Sequence, residues 1–353
     1  MRSCEKCPIF HIPFGGWYPS NMSRPRIAVL YMGGSIGMVH NRKTGRIEPI
    51  ESLVEIHRFI PEVQREVALE FHSIANVGSS EVTPAHWGQI AEMIQRLYER
   101  CDGFVVIHGT NTMAYTAAAL SFALQNLGKP VVLTGSLLPI GDINTDARMN
   151  MAYAIQASQL DIAEVCIALG PRVLRGTRAK KADQSILETF VSPKFPPLAE
   201  FGIDVRLHPW RTVRRKRTLV THSEFDANVV NVTLHPGMPE AFFQAILASK
   251  PHGLVLRAYG LGMLPERLVP WLRDVTKQGI PVVITSQLLR GSIDLHHYRK
   301  QLALEELGII SGKDMTYECA VVKLMWSLAQ TKNARRVRAL MERNLVGELT
   351  ENN

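Results

Sequence analysis

The feature that most constrains this chain is a short apolar run that ends in Gly, Ser or Thr and recurs from residue 27 onward. IAVLYMGG (27–34), GFVVIHGT (103–110), PVVLTGS (130–136) and EVCIALG (164–170) all have this form. Runs this short, closed by small turn residues, fit strands buried on both faces of a parallel sheet better than they fit helices. Between them, TPAHWGQIAEMIQRLYER predicts a helix with Thr83 as its cap, Pro84 in its first turn, and Ile90, Met93, Ile94 and Leu97 on one face. MAYTAAALSFALQNLG reads as a second helix, stopped by Gly128. Strand, helix and strand in alternation predict βαβ units, hence an α/β fold with a parallel sheet covered by helices.

A second series follows. VVNVTLHPG (229–237), GLVLRAYGLG (253–262) and PVVITSQ (281–287) read as strands, and PEAFFQAILAS, LPERLVPWLRDVTKQG and the stretch 314–343 as helical. PRVLRGTRAKKADQS and the proline-containing SPKFPPLAEFG read as irregular. The expected organisation is an extension over 1–22, a larger N-terminal domain over 23–205, a basic linker over 206–226 and a smaller C-terminal α/β domain over 227–353. The linker is marked by Arg211, Arg214, Arg215, Lys216 and Arg217.

Composition excludes several function classes. With 46% hydrophobic and 20% charged residues among 353, the chain can bury real cores, so it is not a disordered segment. No stretch reaches the run of about 18 apolar residues that spans a bilayer, and the N-terminus lacks the apolar core of a signal peptide, so a cytoplasmic location is expected and a membrane is not. Lys plus Arg number 40 against 32 acidic residues, a net charge of +8. The basic runs match no helix-turn-helix, RRM or zinc-finger pattern, so nucleic acid is not an expected partner. Five scattered cysteines form no disulfide framework, and Cys4 and Cys7 with His11 fall short of the four ligands of a zinc site, so no metal is expected. Neither GxGxxG nor GxxxxGK[ST] nor GxSxG occurs, and no cofactor is expected.

In an open parallel sheet, ligands bind beyond the carboxyl ends of the strands. Those ends carry Gly33-Gly34-Ser35, Gly78-Ser79-Ser80, His108-Gly109-Thr110-Asn111-Thr112 and Thr134-Gly135-Ser136. Glycines such as Gly34 and Gly109 let backbone N–H groups point at an anion or a developing oxyanion, and a neighbouring hydroxyl becomes a nucleophile when a base takes its proton. His108, just before such a turn, reads as a structural residue.

YMGGSIGM, GSS followed by EVTPAHW, DGFVVIHGTNTMAYTAAALSFALQNLGKPVVLTGS, LRGTRAKKADQ with FVSPKFPPLAEFGI, and KDMTYECAVVKL together resemble the cytosolic, bacterial-type L-asparaginase I family from about residue 25 to 350. The resemblance implies a flavodoxin-like or Rossmann-like N-terminal domain, a smaller α/β C-terminal domain and assembly into a homodimer or homotetramer. It also implies hydrolysis of a small-molecule side-chain amide through an acyl-enzyme. By the same resemblance Ser35 matches the nucleophile, Thr110 and Asn111 match a threonine–aspartate pair, Lys181 matches the lysine that completes the cluster, and Ser79, with Ser80 beside it, matches the serine that binds the substrate α-carboxylate.

Four positions depart from the family pattern. Ser35 stands for threonine, which keeps the hydroxyl and loses the β-methyl that restricts it. Asn111 stands for the aspartate that meets the substrate α-ammonium and neighbours the lysine, so a charge is lost and the lysine pKa is expected to fall. Arg46 stands near the usual lid tyrosine and offers a cation to an anionic substrate instead. Met263 stands for an asparagine. Two classes of function fit: an amide-processing enzyme with altered substrate preference, whether its acyl acceptor is water or an amine, or a ligand-binding protein on the same fold. The functional groups retained at Ser35, Thr110 and Lys181 favour the enzyme.

Overall fold

The computed structural model describes residues 24–40, 44–49, 60–61, 63–297 and 299–350, and the chain divides after His222 into two compact units. The expected extension over 1–22, with Cys4, Cys7 and His11, lies outside the described residues.

The first unit is built on an eight-stranded sheet. Its strands are β1 (Arg26–Tyr31), β2 (Ala68–Ser73), β3 (Gly103–Ile107), β4 (Val131–Thr134), β5 (Val165–Ala168), β6 (Arg172–Arg175), β7 (Ala199–Phe201) and β8 (Val205–Leu207). Their spatial order is β8-β7-β6-β5-β4-β3-β1-β2. From β2 to β5 every pairing is parallel. β3, β4 and β5 are buried throughout, and β1 is buried from Ile27 to Tyr31, as continuous apolar runs in a covered sheet should be. Helices α1 (Pro84–Leu97), α2 (Met113–Ala123) and α3 (Ala147–Ala157) are the long connections of this sheet. α1 begins where Thr83 and Pro84 predict, with the Thr83 amide donating to His86 Nδ1 at 3.0 Å.

The order β2-β1-β3-β4-β5 has one consequence for function. The chain leaves β1 for a neighbour on one side and reaches β3 on the other, which makes the carboxyl ends of these two strands the switch point where open α/β sheets bind ligands.

Three features differ from the sequence reading. The sheet is mixed, because β6, β7 and β8 extend it antiparallel beyond β5; β6 and β7 lie in the segments read as irregular, where arginine, glycine and proline interrupt any alternation, and β8 falls where the basic linker was expected to begin. α2 ends at Ala123 rather than at Gly128, because Leu124 and Gln125 pair antiparallel with Thr221 and Val220. Gly128 instead donates its amide to Tyr98 Oη at 2.6 Å. The basic run is anchored at its start: Arg211 Nη2 donates to Asp161 Oδ2 at 2.8 Å, the Thr212 amide to Glu164 Oε1 at 2.6 Å, and the Arg214 amide to Asp161 Oδ1 at 2.9 Å. Arg215, Lys216 and Arg217 beyond it are exposed.

The second unit is a four-stranded parallel sheet in chain order: β9 (Val229–Thr233), β10 (Gly253–Ala258), β11 (Val282–Ser286) and β12 (Ile310–Ser311). Its helices are α4 (Glu240–Ala248), α5 (Val269–Lys277), α6 (Arg299–Glu306), α7 (Tyr317–Gln330) and α8 (Ala334–Glu342). The stretch 314–343, read as one helical region, breaks at Thr331–Asn333. Thr316 caps α7 by accepting from the Cys319 amide at 3.2 Å, and Asn333 caps α8 by accepting from the Arg336 amide at 3.1 Å. Among the described residues no helix is long and apolar enough to cross a membrane.

The core of this unit contains a buried ion pair. Lys323 and Glu348, both fully buried, meet at 2.5 Å. Lys323 Nζ also donates to the carbonyls of Met341 at 2.9 Å and Arg343 at 2.7 Å, and Glu348 accepts the Val346 amide at 2.8 Å. The pair thereby ties the C-terminal segment to α7. Lys323→Met should lower unfolding stability by about 3–5 kcal/mol, because it strands a buried carboxylate. Adding Glu348→Gln to that variant should recover a large part of the loss in urea titrations, since the amide still accepts from the Val346 N–H and carries no charge.

Candidate active site

Two backbones touch at the carboxyl ends of β1 and β3. Gly34 adopts φ +98°, and a Cβ placed on it would lie 2.7 Å from the Gly109 nitrogen. A Cβ on Gly109 would in turn lie 2.8 Å from the Ser79 Cβ. Only glycine permits this stack, so the loops carrying Ser35, Ser79 and Thr110 are as close as main chains can be. Ser35 opens a single turn of 3₁₀ helix, Ser35–Gly37, and is half-buried. Ser79 opens another, Ser79–Glu81, and Ser79 and Thr110 are both buried.

Lys181 arrives from a distant part of the chain. It lies in the two-residue strand Lys180–Lys181, paired antiparallel with Phe190–Val191. The approach to it is fixed by buried arginines: Arg175 forms an ion pair with Glu164 at 2.5 Å and lies 4.3 Å from the Phe195 ring centre, and Arg178 lies 5.3 Å from the same ring. The lysine Nζ reaches Thr110 Oγ1 at 2.8 Å and Asn111 Oδ1 at 2.7 Å. The Asn111 amide donates to Ser79 Oγ at 3.3 Å, and Thr112 Oγ1 donates to the Ser79 carbonyl at 2.7 Å. Thr110, Asn111, Lys181 and Ser79 thus form one hydrogen-bonded cluster, with Ser35 on the adjoining turn.

Not every residue singled out in the sequence joins it. Ser80 is exposed and donates to Glu81 Oε1 at 3.3 Å. Arg46 is exposed beside a two-stranded ribbon of Met38–His40 and Ile47–Pro49, and its amide donates to Thr44 Oγ1 at 3.3 Å. Met263 belongs to the second unit, where it bridges to Tyr259.

No ion pair joins Lys181 to a carboxylate among the described residues. Burial pushes its pKa below the ordinary lysine range. A neutral Nζ accepts a proton from Thr110 Oγ1 while it donates to Asn111 Oδ1, so the cluster contains a base already hydrogen-bonded to a hydroxyl.

The turn that holds Thr110 is braced from beneath by a polar chain that the sequence did not reveal. Trp87 Nε1 donates to Thr116 Oγ1 at 3.0 Å, Thr116 Oγ1 meets His108 Nε2 at 3.0 Å, and His108 Nδ1 meets the Gly109 carbonyl at 2.7 Å. A carbonyl only accepts, so Nδ1 carries the proton and Nε2 accepts from the threonine hydroxyl. Behind the next turn, Asn150 Nδ2 donates to the Gly135 carbonyl at 3.0 Å and to Asp146 Oδ2 at 2.9 Å, and Asp146 accepts the Leu137 amide at 3.0 Å. The signal for the first chain was the helical placement of Trp87 and Thr116, whose partners become visible only once α1 and α2 pack together.

Known proteins match this chain along most of its length. A family model described as the asparaginase N-terminal domain matches residues 26–212, and one described as the glutaminase/asparaginase C-terminal domain matches residues 228–341. The chain is 36% identical to L-asparaginase 1 of Escherichia coli (strain K12) over 339 residues, which is 93% of this chain and 99% of that protein. It is 31% identical to a subunit of the glutamyl-tRNA(Gln) amidotransferase of Pyrococcus abyssi over 337 residues, 92% of this chain and 77% of that protein. Among solved structures, the thermostable L-asparaginase from Thermococcus kodakarensis superposes with a TM-score of 0.87 at 33% identity, covering 93% of this chain and all of that one.

Burial lowers the His108 pKa to about 4. Folding therefore favours the neutral imidazole, so its stabilisation is complete above the ordinary pKa near 6.5 and is lost as pH falls toward 4. Unfolding stability is expected to drop by up to about 3 kcal/mol across that window from this group. His108→Gln should remove this component of the pH dependence, as read by urea titrations at a series of pH values.

Proposed function

Because the chain belongs to the asparaginase family, we propose that it is an amidohydrolase that cleaves the side-chain amide of a small substrate through an ester on Ser35. Neutral Lys181 draws on the Thr110 hydroxyl proton, and Thr110 Oγ1 in turn takes the proton of Ser35. Ser35 Oγ adds to the amide carbon, and the tetrahedral oxyanion is met by main-chain N–H groups at the Gly34 and Gly109 turns. The relayed proton returns to the nitrogen, which leaves as ammonia. Water then opens the ester by the same relay in reverse, freeing the acid and restoring Ser35. Ser79 holds the substrate carboxylate, and Asn111 faces the adjoining carbon.

The observation that supports this reading best is the Lys181–Thr110 bond of 2.8 Å, made by a lysine without a carboxylate partner among the described residues, next to the Gly34–Gly109 contact. The asparagine at position 111 disfavours free L-asparagine as the preferred substrate.

We extend the same reading to location and assembly: a cytoplasmic homodimer or homotetramer. Light scattering should return a mass two or four times that of the chain, and a monomer at all concentrations would contradict it.

Ammonia release across a panel of asparagine, glutamine, succinamate, N-acylated asparagine and peptidyl asparagine tests the activity. Ser35→Ala should lower kcat by about three orders of magnitude or more. Lys181→Met should lower it by about a hundredfold or more with KM little changed, because the lysine acts in the transition state. In the wild type, kcat/KM should rise with pH through an apparent pKa below the ordinary lysine value of about 10.4. Asn111→Asp should move that limb to higher pH, since a carboxylate favours the protonated lysine. No ammonia from any amide would reject the hydrolase.

A further inference from the structure

The orientation of one side chain carries an inference about the substrate. Asn111 Oδ1 lies 2.7 Å from Lys181 Nζ. An ammonium offers only protons and a neutral lysine at this position offers one, so the carboxamide presents its oxygen to the lysine in either state. Its NH₂ group therefore points away from Lys181, and it makes no hydrogen bond within the described residues, on a side chain that is exposed. The backbone of the same residue is fixed by the donation of its amide to Ser79 Oγ at 3.3 Å. Asn111 thus spans from Ser79 to the lysine with two donor hydrogens directed outward.

Charge acts in the same direction. Ser79, Thr110, Asn111 and Lys181 contain no carboxylate, and Lys181 has no ion-pair partner among the described residues. A substrate ammonium brought to this face would meet donor hydrogens and, below the lysine pKa, a second positive charge. The donor hydrogens give an ammonium no partner, and the lysine charge repels it. A hydroxyl or keto oxygen in the same place accepts from the NH₂ group and meets no such penalty.

We propose that Asn111 selects, by donating from its NH₂ group, a four-carbon acid amide that carries an oxygen acceptor where asparagine carries its ammonium: the monoamide of a 2-hydroxy or 2-oxo dicarboxylic acid. The assignment of that carbon to Asn111 rests on the function proposed above, in which Ser79 holds the carboxylate and Ser35 attacks the amide.

The test separates recognition from turnover. On the Ser35→Ala protein, calorimetric Kd values are measured for (S)-2-hydroxysuccinamate, succinamate and L-asparagine. The hydroxy compound should bind at least tenfold more tightly than asparagine, with succinamate between them. Adding Asn111→Asp should reverse the order of the hydroxy compound and asparagine. On the otherwise wild-type background, the ratio of their kcat/KM values should move at least tenfold toward asparagine in Asn111→Asp. The ratio cancels the effect of the new carboxylate on Lys181, which alters both rates alike. Equal or tighter binding of asparagine by the Ser35→Ala protein, or a ratio unmoved by Asn111→Asp, overturns the inference while leaving an amidohydrolase. Preferential binding of the hydroxy compound with no ammonia from the wild-type protein rejects the hydrolase and leaves the recognition rule standing.

Discussion

At the switch point of the first sheet, the chain allows two main chains to approach with nothing between them. Gly34, at φ +98°, lies so close to the Gly109 nitrogen that a single methyl group on it would fall within 2.7 Å. Everything that makes the site chemically interesting depends on that approach. It sets the Ser35 turn against the Thr110 turn, and the Gly109–Ser79 contact continues the stack to a third loop. A side chain at Gly34 would separate the hydroxyl on β1's loop from the lysine-bonded hydroxyl on β3's loop, and one at Gly109 would push against Ser79.

Rigidity around that contact comes from buried polar chains rather than from the reacting groups. The Trp87–Thr116–His108–Gly109 chain fixes the carbonyl immediately before Thr110, and its histidine is held neutral by burial. Lys181 is delivered by a short ribbon whose approach is fixed by Arg175, Glu164 and Phe195. The lysine itself is only partly buried, and that partial burial lowers its proton affinity. Asn111, beside the lysine, brings no charge that would hold Lys181 protonated.

Much of this was legible in the sequence, for local reasons. IAVLYMGG, GFVVIHGT and PVVLTGS declare buried strands and their turns because a covered parallel sheet requires unbroken apolar runs, and Thr83 with Pro84 announces α1 by capping chemistry alone. The antiparallel strands β6 to β8 were not legible, since Arg172, Arg175 and the prolines around Phe195 obscure any alternation and their ladders depend on partners across the sheet. The anchoring of the basic run was hidden for the same reason, because Asp161 and Glu164 lie about fifty residues from the groups they bind. The join of Lys181 to Thr110 spans 71 positions and came from family resemblance, not from spacing. Neither motif nor resemblance could show which way the Asn111 carboxamide faces, for that is decided by the lysine placed beside it.

The central claim is that the hydroxyl on the first glycine turn, and not the one bonded directly to the lysine, becomes esterified. Acid quenching of the wild-type protein during turnover of the best amide in the panel, followed by peptide mapping, measures this directly. The account requires a mass increase equal to substrate minus ammonia on the peptide carrying Ser35. The same increase on the peptide carrying Thr110, with Ser35 unmodified, would contradict it.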